Sequence, residues 1–387
     1  MNRSGRINLT RLALFGALAL MAALFAAACS DAEEPAATPA PTEATTTAAT
    51  ETTQSPTTTT TQATTTTTQS PTTTTTQATT TTTQSPTTTT TAPPPTGVTI
   101  DNCGVETVYD AVPQRVVATD TSALEVLMAL GLQDNVIGYF GGTPDRLQPQ
   151  HQARAALVER LGGSFPYPSL EAVLAPAPDL VFSYGFNESG GLTAHNLRDA
   201  SVHSFSFTEA CPDFSGNVTL EVMFADVHAV GEIFKVEDRA DELIASWEQQ
   251  IAEVAEATPE GEQVRVFYFD SGQEAPFTAL SGSVMSDIIN RAGGMNIFSD
   301  VSGTWGTVEW EAVIEGDPEL IILVDYGFGG PAANRAFLES DPALSGMSAV
   351  VNGHYMTLTF LQSVPGPQNL DGLIKVATAV RGVNASR

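Results

Sequence analysis

Residues 237–258 read EDRADELIASWEQQIAEVAEAT, and the spacing of their apolar side chains decides the architecture of the chain. Ala240, Leu243, Ile244, Trp247, Ile251, Val254 and Ala255 recur at intervals of three and four, while Glu and Gln fill the other face, which predicts a long amphipathic helix. Pro259 and Gly261 stop it. At a rise of about 1.5 Å per residue the rod is about 33 Å long. That is enough to cross from one compact body to another.

On both sides of the rod, short apolar runs alternate with helical stretches. Before it come RVVAT (115–119), SALEVLMALGL (122–132), DLVFS (179–183) and HSFSF (203–207). After it come RVFYF (265–269), SVMSDIINRAGG (283–294), ELIILV (319–324), HYMTLT (354–359) and a last helix around Asn369 to Val380. Repeats of strand, helix and strand imply mostly parallel sheets. The expected fold is therefore α/β: two Rossmann-like lobes, 97–235 and 261–387, joined by one long rigid helix in 236–260, with a ligand cleft between them. A single stiff connection leaves little hinge, so the cleft width is nearly preset. Ligands of open α/β sheets sit outside the carboxyl ends of the strands, which makes the residues just past each strand the candidates for binding.

The first 96 residues have a different character. Arg3, Arg6 and Arg11 precede an uncharged stretch, 12–28, that ends in small residues, as in a secretory signal peptide. This start resembles bacterial lipoprotein signals, which implies cleavage after residue 28 and a lipid on Cys29; the alternative is ordinary secretion with a free Cys29. From 29 to 96 the chain has almost no large apolar residue, and QSPTTTTTQATTTTT repeats with Gln54, Gln69 and Gln84 in the same phase. Such a segment cannot bury a core. It reads as a disordered Thr/Pro-rich stalk that lifts the folded part off a membrane.

Of the 44 acidic residues, Asp31, Glu33, Glu34, Glu43 and Glu51 precede residue 97, leaving 39; of the 16 lysines and arginines three precede it, leaving 13. The folded region thus carries a net charge of −26, which opposes binding to nucleic acid or anionic lipid. Beyond Cys29 only Cys103 and Cys211 occur, and in an exported chain they are expected to form one disulfide, the alternative being two buried thiols.

Five segments together carry a specific resemblance: PQRVVATDTSALEVLMALGLQDNVIGY (113–139), YPSLEAVLAPAPDLVFS (167–183), PFTALSGSVMSDIINRAGGMNIF (276–298), WGTVEWEAVIEGDPELIILV (305–324) and PGPQN (365–369). Over 101–385 the chain resembles the solute-binding proteins of bacterial ABC importers for ferric siderophores, haem and cobalamin, with SFTEAC (206–211) and PGPQN closest to actinobacterial siderophore-type members. The resemblance implies an extracytoplasmic monomer on the outer face of the cytoplasmic membrane that catalyses no reaction and needs no cofactor. It also implies that Glu171, in SLEAVLAPAPDLV, and Glu311, in EWEAVIEGDPELI, dock the two lobes onto a permease dimer. The competing reading is an acidic residue complementing a helix dipole.

A bulky chelate needs aromatic faces and a few polar groups. Tyr184 follows DLVFS, Tyr326 follows ELIILV, Phe360 follows HYMTLT, and Tyr139 and Phe140 end another strand. Phe165 and Trp305 stand six residues before Glu171 and Glu311, where cobalamin-type relatives place rings. Asn187 and Gln368 supply hydrogen-bonding groups, and the scarcity of arginine favours an uncharged, hydroxamate-like ferric chelate over a trianionic catecholate. Tyr268, Phe267 and Phe269 lie within a strand and are assigned to the core. The alternatives are cobalamin or haem in the same cleft, bare zinc or manganese held by some of the five histidines, and an exported enzyme. None of the histidines makes a compact metal motif, and no nucleophile elbow, HExxH pair or phosphate loop stands in the folded region.

Overall fold

The computed structural model describes residues 97–387 apart from 213, 215, 259, 260 and 328. The signal peptide, Cys29 and the stalk lie outside the described residues.

In the N-terminal half the strands are β1 (Val98–Asn102), β2 (Val105–Tyr109), β3 (Val116–Ala118), β4 (Val136–Phe140), β5 (Arg160–Gly162), β6 (Leu180–Ser183) and β7 (His203–Ser206). The helices are α1 (Thr121–Ala129), α2 (Pro149–Ala155), α3 (Leu170–Leu174), α4 (Ala194–Asp199) and α5 (Leu220–Phe234), followed by the connecting helix α6 (Glu237–Ala257). The C-terminal half holds β8 (Val264–Phe269), β9 (Phe277–Ala279), β10 (Gly294–Asn296), β11 (Trp305–Thr307), β12 (Leu320–Asp325) and β13 (Tyr355–Thr359), with α7 (Val284–Arg291), α8 (Trp310–Gly316), α9 (Gly330–Ser340), α10 (Ser348–Asn352) and α11 (Asn369–Ser386).

One sheet has the order β5-β4-β3-β6-β7 and the other β10-β8-β12-β13, with every pairing in both parallel. Two such sheets make two α/β lobes. Leu180–Ser183 is buried at every position and Leu320–Val324 likewise, as expected of parallel strands covered on both faces. Polar caps fix the helix starts: Asp120 accepts from Ala123 N–H at the head of α1, Ser169 from Ala172 at α3 and Ser283 from Ser286 at α7.

The connecting helix buries Ala240, Trp247 and Val254, one stripe with a seven-residue repeat. Trp247 stacks on Phe224 of α5 at 5.4 Å between ring centroids. A Cβ on Gly231 of α5 would stand 2.8 Å from the Cβ of Ala240, so these two helices pack closely. On its other side α6 meets α7 and α11 of the C-terminal lobe. The main apolar core therefore runs without a break from Ile100 through Trp247 to Val383. Opening a hinge would cut this core, which is the physical basis of a nearly fixed lobe arrangement.

Smaller clusters cover the outer faces of the sheets, around Phe267 and Ile321 in one lobe and Val117 and Val181 in the other. The hairpin β1–β2 is fastened to the end of β7 by the Cys103–Cys211 disulfide, with a Cα–Cα distance of 5.0 Å. Asn102 adds two hydrogen bonds with the backbone of Ser206.

Candidate functional site

Parallel strands all deliver their carboxyl ends to one edge of a sheet, and here those ends hold a set of carboxylates and aromatic rings. Past β3 stands Asp120, past β6 Tyr184, past β7 Glu209, past β8 Asp270, past β12 Tyr326 and past β13 Phe360. In each lobe a tyrosine beyond one strand donates its phenolic proton to a carboxylate beyond the neighbouring strand. Tyr184 Oη donates to Glu209 Oε2 at 3.0 Å, and Tyr326 Oη donates to Asp270 at 2.8 Å from either carboxylate oxygen. Asp120 accepts from Ser122 Oγ, from Ala123 N–H and, at 2.6 Å, from Tyr184 N–H.

These groups meet at a seam between lobes. Glu209 of the N-terminal lobe accepts the Val284 N–H of the C-terminal lobe at 2.8 Å. Across that seam Tyr268 lies within electrostatic reach of Glu209, and Tyr326 within reach of Tyr167. Trp305, on the two-stranded ribbon β9–β11, lies 5.6 Å from the Tyr268 ring. The Trp305 indole N–H lies toward Glu209 and Tyr184, and Tyr268 Oη is buried with no close hydrogen-bond partner among the described residues.

Burial dominates the electrostatics. Desolvation pushes the Glu209 carboxyl up to about 7 against the hydrogen bonds from Val284 and Tyr184, and it raises Asp120 and Asp270 above the usual carboxylate range. It likewise pushes Tyr167 up to about 12, helped by the charge of Asp120. Asp120, Glu209 and Asp270 are only 5–6% exposed. Among the described residues none of the three forms an ion pair with lysine, arginine or histidine.

A second contact between lobes runs through α1. Glu125, buried on α1, accepts from Gln148 N–H at 2.6 Å and from Gln368 Nε2 at 2.7 Å. Gln368 also donates to the Arg146 carbonyl, and Gln148 Nε2 donates to Asp371. The Arg146 guanidinium lies directly against Gly327, whose φ of +86° and lack of a Cβ both suit this approach.

Of the residues expected in the cleft, the structure brings Tyr184, Trp305, Tyr326 and Phe360 to the seam, with Tyr326 stacked on Phe360 at 5.2 Å. The other five stand elsewhere. Tyr139 and Phe140 lie inside β4, which pairs with β3 and β5, so their side chains enter the core on opposite faces of the sheet. Asn187 spends its side chain on its own loop, donating to the Tyr167 carbonyl and accepting from Gly190 N–H and Ser189 Oγ. Gln368 is 6% exposed and joins the lobes through Glu125. Phe165 is 88% exposed on a surface loop. Glu171 and Glu311 are the second residues of α3 and α8, both exposed and in equivalent places ahead of β6 and β12.

The sequence reading missed Asp120, Glu209 and Asp270, although each stands just past a strand. It placed Tyr268 in the core, where the structure has it, hydroxyl included. Among the described residues no group of three His, Cys, Asp or Glu is placed to hold a metal ion.

Residues 116–360 match a protein-family model described as periplasmic binding protein. The chain is 25% identical over 233 residues, 59% of its length and 69% of the relative's, to an uncharacterized ABC transporter substrate-binding lipoprotein of Bacillus subtilis. It is 24% identical over 285 residues, 72% of each protein, to a cobalamin-binding protein of Halobacterium salinarum. Among solved structures, one titled an ABC-type Fe3+-hydroxamate transport system from Saccharomonospora viridis superposes with a TM-score of 0.67 at 25% identity. That superposition covers 73% of this chain and 99% of the other.

Proposed function

The chain belongs to the periplasmic binding protein family, and from that premise we propose that it captures a ferric siderophore of the hydroxamate type outside the cytoplasmic membrane and hands it to an ABC permease. As a solute-binding protein it carries out no catalytic step. The observation that supports this cargo most directly is the ring-lined seam at the strand ends, where Tyr184, Trp305, Tyr326 and Phe360 gather beside buried, unpaired carboxylates. Aromatic faces suit a bulky chelate. Uncompensated carboxylates repel a trianionic catecholate or the propionates of haem, so a chelate without net negative charge fits best. The likeness to the Fe3+-hydroxamate transport structure from Saccharomonospora agrees with this class. Cobalamin is the second reading, favoured by the Halobacterium relative.

Delivery follows from the surface. Glu171 and Glu311 occupy matching exposed positions on the two lobes and would meet basic groups of a permease dimer. Lipidated Cys29 would hold the protein near that permease through the 29–96 stalk.

Titrating the protein with a ferric trihydroxamate, a ferric tricatecholate, haem and cyanocobalamin, with tryptophan fluorescence as readout, tests the proposal. Saturable quenching by the trihydroxamate at the lowest concentration is expected; preference for the catecholate or haem would overturn it. Reversing the charge of Glu171 and Glu311 together should abolish permease binding while leaving that titration unchanged.

A further inference from the structure

Resting on the reading of the seam as a cargo site, we infer that its centre, Glu209 and Asp270 with Tyr184, Tyr326, Tyr268 and Trp305, receives an organic ammonium group carried by the cargo. Buried carboxylates are normally paired, because desolvating an unpaired charge is costly. Here one carboxylate from each lobe is almost fully buried and is met by neutral donors alone, hydroxyls and a backbone N–H with the Trp305 indole beside Glu209. Neither has a cationic partner among the described residues. The missing charge is positive.

The surroundings suit an ammonium ion more closely than a metal. Tyr184 and Tyr326 commit their protons to the carboxylates, so their oxygens meet a neighbour as acceptors. Tyr268 is fully buried, its Oη is unpartnered, and it lies within the fields of Asp270, Tyr326 and Glu209. It can accept an N–H of the same group. Trp305 and Tyr268 lie with ring centroids 5.6 Å apart beside the same carboxylates, and aromatic faces attract a cation that has left water. Carboxylates, phenolic oxygens and aromatic faces without a guanidinium match R–NH3+ better than an anionic group. An ammonium bound there would also return Glu209 toward the ordinary carboxylate range, whereas burial alone pushes it to about 7.

The test compares a linear ferric trihydroxamate ending in a primary amine with its N-acetylated counterpart, using the full folded protein and fluorescence titration. The amine form should bind about tenfold tighter or more, the scale of a lost charge-assisted hydrogen bond. The isosteric Glu209→Gln and Asp270→Asn changes, singly and together, should bring the ratio of the two affinities toward one, whatever they do to the affinity for the acetylated chelate. Equal binding of the two chelates, or a preference that survives both substitutions, overturns the inference and leaves the siderophore reading standing. If neither chelate binds, the siderophore reading fails, and pentylammonium against pentanol decides the site. Saturable quenching by the ammonium alone, lost in the double variant, sustains the inference; no difference between the two probes overturns it.

Discussion

Acidifying the medium from about pH 7 to about pH 5 should stabilise this protein, the reverse of what ordinary surface carboxylates produce. Desolvation by burial pushes Glu125, Glu209 and Asp226 each up to about 7, so in the folded chain each holds a proton that the unfolded chain has shed. Their folded pKa values lie above the unfolded ones, and so their contribution is fully present below about pH 4.5 and is lost as pH rises through about 7. His151, 8% exposed, has an Nδ1 with no partner among the described residues; burial, with Arg154 and Arg239 nearby, lowers it to about 4. In the same window it therefore refuses a proton that the unfolded chain accepts. Three gains against one refusal leave about two extra protons on the folded state, a slope of about 2.7 kcal/mol per pH unit at its steepest. Across the whole window, with partial titration at its edges, that amounts to about 4 kcal/mol, or about 10 °C in melting temperature for a domain of this size. Below about pH 4.5 the trend reverses, because Glu221, Asp317 and Glu319 sit below their ordinary range through hydrogen bonds and arginine neighbours and must then be protonated. Urea unfolding at a series of pH values measures the slope. Relief of overall negative charge acts in the same direction, so variants isolate the buried groups. Glu125→Gln, Glu209→Gln and Asp226→Asn should each flatten the slope by about one proton, and His151→Asn should steepen it. Stability that climbs from pH 5 to pH 7, or a slope indifferent to all four substitutions, would refute the reasoning.

Two further outcomes follow from the packing. Replacing Cys103 and Cys211 by serine frees a loop spanning 108 residues of sequence, which should cost up to about 5 kcal/mol by loop-closure entropy, read as a lower urea midpoint matched by the reduced wild-type protein. Gln368→Ala leaves buried Glu125 short of one donor and uncouples Gln368 from the Arg146 carbonyl, so a loss of about 1–3 kcal/mol is expected in urea unfolding.

The rod and the two sets of strands were legible because each is a local pattern. A period near 3.6 over 237–258 gave a helix that ends at Ala257, one residue short of the expectation, and the last helix began at Asn369 as read but ran on to Ser386. The hairpin β1–β2 escaped notice, since its two strands lie outermost and alternate between half-buried and exposed positions. The aromatic seam was half legible. An aromatic residue that ends a strand looks the same in one dimension whether it is Tyr139 or Tyr184. Only the sheet order separates them, by covering β4 with β5 as far as Phe140 while leaving Tyr184 beyond the end of β6.

What the sequence determined by itself was therefore the class of molecule: two parallel-sheet lobes, one stiff connection, and a long threonine-rich leader before them. Only the tertiary structure decided which polar groups lose water. Asp120, Glu209 and Asp270 are three among 39 acidic residues of the folded region, and nothing in their neighbouring sequence marks them. Glu209 is closed in by Val284, 75 residues away, and Glu125 by Gln368, 243 residues away. Desolvation depends on atoms packed around a group from every direction, and periodicity along a chain records only the face that each residue turns inward.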